Sequence, residues 1–411
     1  MIRYLYIFLL TVSTSLFAQN TTEKVLFIGN SMTSYNDMPQ IFAGIAQSKG
    51  KSIQTTQHSP GGTGFVNHVG DNTLYAIIRS SIFDKVVMQP GTGESIGHSF
   101  PISATAQRGN RLKDSIKKYS PCAQFFLYEI SNGVQGANEY PAYFTSQKKI
   151  KDSIYKLSGL MQVPMIPAGE AVRKYYENNQ DLLLHSDYNN VHPNLNGSYM
   201  VAAAVYAAIY QDKVYPSTHL AGVSQINAEN FQGIADNTIL NNLSDWNLSS
   251  FNLFSNFTYN ISGVTVSFQN QSVNSNTVSW DFGDGTTSIQ NNPSHQYPSS
   301  GTYNVTLSAY RGNCKLTRTK TVVLSQLAVD NVNKKKLKIY PNPASEFFTI
   351  ESDAAISGIE IYTVSGNLVT KKENINAKDY IENVSLYSAG GYLIKITFYK
   401  SEPIIYKLIK D

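Results

Sequence analysis

Between residue 24 and about residue 211, short apolar runs alternate with longer stretches of helical spacing. Residues 25–28, 52–57, 85–88, 124–128 and 163–166 read as strands, and 38–48, 74–80, 104–118 and 147–160 as helices. Strand and helix in alternation predict a parallel sheet covered on both faces. Ligands in such folds bind beyond the carboxyl ends of the strands, so the loops that follow them are the places to search. Residues 215–250 turn to Asn, Ser and Ala, which predicts a last helix and then a linker. From about residue 254 the period becomes two. Residues 264–268, 277–280, 303–307 and 318–324 are alternating runs between turn residues, the pattern of a small β-sandwich. A further alternating β segment runs from Leu337 to Asp411.

Composition adds limits to this picture. The chain has 411 residues, 42% of them hydrophobic and 15% charged, which is ordinary for two or three folded units. Residues 1–18 combine Arg3, an apolar run and Ala18, the make-up of a secretory signal peptide. That run is too short to span a bilayer, and no later one is long and apolar enough, so no membrane span is expected in the mature chain. The net charge of +4 has no dense basic run except Lys334-Lys335-Lys336 at a linker, which gives no basis for nucleic-acid binding. The two cysteines, Cys122 and Cys314, fall in different predicted domains and are expected to stay unpaired. No clustered Cys/His spacing or phosphate-cradling loop occurs, so neither a metal nor a cofactor is expected.

The segment Trp280-Asp281-Phe282-Gly283-Asp284-Gly285, followed by Asn292-Pro293, His295, Tyr297 and Gly301-Thr302-Tyr303, resembles the PKD-type immunoglobulin-like repeat. Leu337-Lys338-Ile339-Tyr340-Pro341-Asn342-Pro343-Ala344 and the later Gly390-Gly391-Tyr392 resemble the C-terminal sorting domain of the type IX secretion system. The second resemblance implies the type IX machinery as a partner and a secreted or cell-surface location. The expected organisation is a signal peptide at 1–18, an α/β domain with its linker at 19–250, a β-sandwich at 254–325, a linker at 326–336 and a sorting domain at 337–411.

The candidate chemistry begins at Gly29-Asn30-Ser31, directly after the first strand. A serine hydroxyl becomes a nucleophile when a base takes its proton, and a tight turn at a strand end presents it to substrate. The candidate base is His192, framed by Pro193 and Gly197 just before the domain's long apolar helix. His58, His68 and His98 follow strands and are candidates to line the pocket.

Ser31 and His192 in this strand order resemble the SGNH (GDSL-type) hydrolases, specifically their extracellular bacterial branch. The resemblance implies a flavodoxin-like three-layer fold and a serine ester hydrolase, with Gly62 of Pro60-Gly61-Gly62-Thr63 as an oxyanion-hole amide. At the third block the chain departs from the family's Asn and offers Gln89, whose side chain ends in the same NH₂ donor. The family's Asp, three residues before the histidine, is replaced by Asn189, and Asp187 stands two residues earlier. Either residue is expected to orient His192, or the site is a Ser–His dyad. The expected substrate is an ester, with acylated extracellular polysaccharide favoured. A carbohydrate-binding surface protein with impaired catalysis and a lipase or thioesterase are the alternatives.

Overall fold

The computed structural model describes residues 22–324, 337–363, 367–399 and 401–411. The expected signal peptide and the 326–336 linker lie outside the described residues. The chain divides into two compact units, Met1–Ser325 and Gln326–Asp411.

The first unit opens with five parallel strands: β1 (Glu23–Ile28), β2 (Ile53–His58), β3 (Lys85–Met88), β4 (Gln124–Tyr128) and β5 (Met165–Ile166). Among the described residues ten α-helices accompany them: α1 (Ser31–Ser34), α2 (Met38–Ser48), α3 (Phe65–His68), α4 (Asn72–Ser80), α5 (Thr92–Ser95), α6 (Ile102–Lys117), α7 (Tyr140–Met161), α8 (Ala168–Asn178), α9 (Leu195–Tyr210) and α10 (Gln225–Leu240). The sheet order is β2-β1-β3-β4-β5, the flavodoxin-like order, which is the fold that the SGNH resemblance implies. Val25 to Ile28, Val86 to Met88 and Phe125 to Tyr128 are buried because helices cover both faces of the sheet.

Helix α9 is apolar all round, and every residue from Gly197 to Tyr210 is buried. A helix of that kind has to be enclosed, and α2, α8 and α10 pack against it. Helix α10 is therefore the cover of α9, which accounts for the segment expected to hold a last helix. Helix α7 begins at Tyr140, seven residues before the expected start at Gln147, and α8 was not anticipated from the spacing.

The same unit continues into a sandwich. Strands β6 (Phe257–Ser262), β7 (Thr265–Asn270) and β10 (Ser294–Gln296) form one sheet; β8 (Thr277–Asp281), β9 (Thr287–Ser288), β11 (Gly301–Arg311) and β12 (Cys314–Leu324) form the other. Trp280, 0% exposed, fills its centre against Phe257 and Phe268, and its Nε1 donates to Gln290 O over 2.9 Å. Trp280 is thus core and offers no binding face.

The cysteines correct an expectation: Cys122 and Cys314 form a disulfide across 192 residues. The sandwich docks at the N-terminal edge of β4, with Gln124 Nε2 donating to Leu253 O and Asn252 Nδ2 to Phe125 O over 3.0 Å. Docking places the turn before β4 beside the start of β12, and no local sequence signal reports that placement.

The second unit is an antiparallel sheet of β13 (Lys338–Tyr340), β14 (Phe347–Thr363), β15 (Leu368–Asn383), β16 (Gly390–Phe398) and β17 (Ser401–Lys410). Its core gathers Phe348, Ile350, Ile359, Ile361, Ile394 and Ile396.

Candidate active site

Strand order reverses between β1 and β3, and the loops that leave those strands converge there. At Gly29 a Cβ would collide with Thr33 Oγ1 and lie 2.7 Å from Gln89 Oε1, so any larger residue would displace the side chains that brace the turn. Asn30 then caps α1: its Oδ1 accepts from Met32 N at 3.0 Å, and its Nδ2 donates to Thr63 O at 2.9 Å. One side chain thus starts the helix and ties the turn to the loop after β2. Ser31 is the first helical residue, and its amide has no protein acceptor among the described residues.

The Ser31 hydroxyl donates to His192 Nε2 over 2.8 Å. The histidine loop is held at its base by Asn194 N to Leu184 O at 3.0 Å and by the bridge between His185 and Pro193. Asn194 caps α9 by accepting from Gly197 N at 3.1 Å. A Cβ at Gly197 would strike Leu184 O, which explains the Pro–Gly frame around His192.

His192 Nδ1 donates to Asn190 Oδ1 over 3.1 Å. The same oxygen accepts the His192 backbone N–H at 3.0 Å, so the amide must present oxygen, not nitrogen, to the ring. Asn190 therefore fixes the tautomer that leaves Nε2 free to take a proton.

This corrects both expectations for the orienting residue. Asn189 is exposed and left-handed (φ 64°), with its backbone N–H committed to Val134 O, and its side chain makes no hydrogen bond to His192 among the described residues. Asp187 is exposed and makes no hydrogen bond to His192 among the described residues.

Gln89 is also corrected as an oxyanion donor. It is fully buried; its Oε1 accepts from Asn30 N (3.1 Å) and Thr33 Oγ1 (2.8 Å), and its Nε2 donates to Pro90 O at 2.9 Å. Its carbonyl braces the serine turn. Gly62 lies on the exposed loop after β2 with φ 71°, and its amide has no protein acceptor among the described residues. Thr63 anchors that loop beside the serine turn, its Oγ1 donating to Gly29 O over 3.0 Å.

Several supports gave no periodic signal. Glu94, 3% exposed, accepts from Phe65 N (2.7 Å), Val66 N (3.1 Å) and Gly91 N (3.0 Å), stapling the loop after β3 to the one after β2. His68, fully buried, reaches Gly29 O with Nε2 at 2.9 Å, and burial lowers its pKa. His58 Nε2 meets Asp71 Oδ2 at 2.6 Å. His58, His68 and Asp71 are the His/Asp group among the described residues whose donor atoms lie close enough, within 4.8 Å, to hold a metal ion. His98 is exposed.

Beneath the histidine loop, Gln147 donates to Glu129 Oε1 (2.8 Å) and Ile130 O (2.9 Å) and accepts from Asn132 N (2.8 Å). That shapes the segment whose Val134 O holds Asn189. Burial, with Glu170 adding repulsion, pushes the Glu129 carboxyl up from 4.5 to about 8. Between those values the unfolded chain has released this proton while the folded chain keeps it, so stability falls as pH rises across that window. The unfolding midpoint should therefore drop between pH ~5 and ~8, by ~2–4 °C per kcal/mol lost, and Glu129→Gln should flatten that slope. Differential scanning calorimetry across the range checks it.

Fold and site together define a doubly wound α/β domain with a Ser–His pair at its switch point. More particularly, residues 260–324 match the PKD domain family, and residues 338–411 match the secretion system C-terminal sorting domain. The sorting domain makes this a secreted or cell-surface protein, and no helix among the described residues is long and apolar enough to cross a membrane.

Among solved structures, a DUF4886 family protein from Bacteroides uniformis is similar, at 19% identity over 53% of this chain and 95% of its own, with TM-score 0.44. A putative SGNH hydrolase from Slackia heliotrinireducens is similar at 18% identity over 45% of this chain and 97% of its own, with TM-score 0.36. A microbial collagenase of Vibrio alginolyticus shares 53% identity over 51 residues, which are 12% of this chain and 6% of the collagenase.

Proposed function

We propose that the first domain is a serine ester hydrolase that removes short acyl groups, with acylated extracellular polysaccharide as its substrate. The observation that carries this reading is the 2.8 Å hydrogen bond from the Ser31 hydroxyl to His192 Nε2 at the sheet's switch point. In this mechanism His192 takes the Ser31 proton as Oγ attacks the ester carbonyl. The Ser31 and Gly62 amides receive the developing oxyanion. The His192 imidazolium then gives its proton to the departing alcohol, and water, activated by the same ring, releases the acyl group.

The chemistry of Asn190 favours an ester over an amide. A neutral acceptor orients the ring but does not compensate the imidazolium's charge, which a buried carboxylate does. Such a base suits a substrate whose leaving alcohol departs readily. The setting favours a short acyl group on a large carrier: Ser31 is half-buried, and Tyr35, Gly61 and Gly62 around it are exposed.

The test is release of acetate from acetylated xylan and p-nitrophenyl acetate by the full chain. Turnover that vanishes on treatment with a fluorophosphonate, with the label mapped to Ser31, is the expected result. Full turnover with Ser31 unlabelled would falsify the reading.

A further inference from the structure

The His192 ring has a third neighbour besides Ser31 and Asn190. The Tyr35 ring stacks on it, with centroids 4.4 Å apart and planes 18° from parallel. Tyr35 is 42% exposed, so burial of its own apolar surface does not explain its place. The next two residues, Asn36 and Asp37, are both left-handed at φ 50° and 52°. Consecutive non-glycine residues in that region cost conformational energy and persist where surrounding contacts hold them.

Those contacts run to the histidine side of the site. Asn36 Nδ2 donates to Pro193 O at 3.1 Å and to Ser198 Oγ at 2.9 Å, and Ser198 Oγ lies 3.2 Å from Tyr35 O. The turn after α1 is thereby bonded to the residue after His192 and to the helix that follows it. The outcome of this strained, cross-tied turn is a tyrosine ring laid flat on the histidine.

We infer that Tyr35 is a positioning residue: it sets the plane of His192 and stabilises the imidazolium through its electron-rich face. The inference rests on the serine-hydrolase reading above. It answers the deficit left by Asn190, whose neutral amide supplies geometry without charge. Asp37 and Asp187, the carboxylates nearest in sequence to Tyr35 and His192, are exposed, and neither is hydrogen-bonded to the ring. A cation formed on His192 during acyl transfer thus meets the Asn190 dipole on its edge and the Tyr35 π system on its face.

The test compares full-length chains carrying Tyr35→Phe, Tyr35→Leu and pentafluorophenylalanine at position 35, assayed on methyl acetate in a pH-stat. The aliphatic ester avoids stacking between leaving group and ring. Phe keeps the ring's negative face and should stay near the wild-type rate. Leu removes that face and pentafluorophenylalanine reverses it at nearly the same shape. Both should lower kcat by roughly 3- to 30-fold while KM changes little. Equal kcat for the phenylalanine and pentafluorophenylalanine chains overturns the inference while Ser31-dependent turnover stands. Absence of Ser31-dependent turnover in the wild type overturns the hydrolase reading and this inference together.

Discussion

Ser31→Ala and His192→Ala should each lower kcat on a short-chain ester by roughly 10³- to 10⁶-fold, and the double variant should be no slower than the worse single one. The non-additivity follows from the geometry. The two side chains share one proton across 2.8 Å, so removing either leaves the other with nothing to do. What survives is binding and whatever the Ser31 and Gly62 amides contribute to the oxyanion, which the alanine variants leave in place. Asn190 gives the sharper test. Asn190→Ala loses the hold on Nδ1 and should cost less than loss of the base itself. Asn190→Asp keeps an acceptor for both the ring N–H and the His192 backbone N–H and adds a charge beside the imidazolium. It should raise kcat at neutral pH by about tenfold, within the ~10⁴-fold that separates a carboxylate from an amide in a serine triad. Steady-state kinetics on purified variants measures all five. An Asn190→Asp variant that folds like the wild type but turns over more slowly would show that the amide is not what limits the base.

How far this site was legible in the sequence depended on what each residue does. The serine turn and the histidine loop are marked by steric requirements that favour glycine: a Cβ at Gly29 would displace Thr33 and Gln89, and Gly197 has no room beside Leu184 O. Strand β1 and helix α9 were legible for a related reason, because an unbroken apolar run can only sit in an enclosed layer. The orienting residue was not legible, since its identity turns on the sign of one dihedral. With Asn189 left-handed, the next residue makes the turn that brings its oxygen to both N–H groups of His192, and family spacing carries no record of that. Gln89 shows a different limit. Its composition as a donor was read correctly, but its neighbours had already claimed it, with Pro90 O on the nitrogen and the serine turn on the oxygen. Glu94 and Glu129 are isolated acids in sequence, and only the fold brings backbone N–H groups to them.

Removing the Cys122–Cys314 link is expected to have the largest effect on stability and almost none on catalysis. The disulfide closes a loop of 192 residues, and constraining that much unfolded chain amounts to about 5 kcal/mol in the chain-entropy model. Part of that constraint is already supplied by folding of the α/β domain within the loop, so the measured loss in Cys122→Ser/Cys314→Ser should fall below that figure. It should still exceed what a surface substitution produces. The bond lies at the N-terminal edge of β4, whereas Ser31 and the loop after β3 leave the opposite ends of their strands, so kcat should be unchanged. Noncovalent ties also hold the sandwich against the first domain: Gln124 to Leu253 O, Asn252 to Phe125 O, and Arg311 to Phe251 O at 3.1 Å. Without the covalent link these bonds, the Arg318–Asp212 ion pair at 3.7 Å and the Asn274 bond to Ser250 O at 2.7 Å have to hold the docking, and the sandwich should detach before the α/β domain melts. Calorimetry should then show the first unit melting in one transition in the oxidised chain and in two in the double-serine variant, with the lower of those two absent from a chain truncated before residue 254. A single transition at the wild-type temperature in the variant would mean that docking, not the disulfide, holds the two domains together.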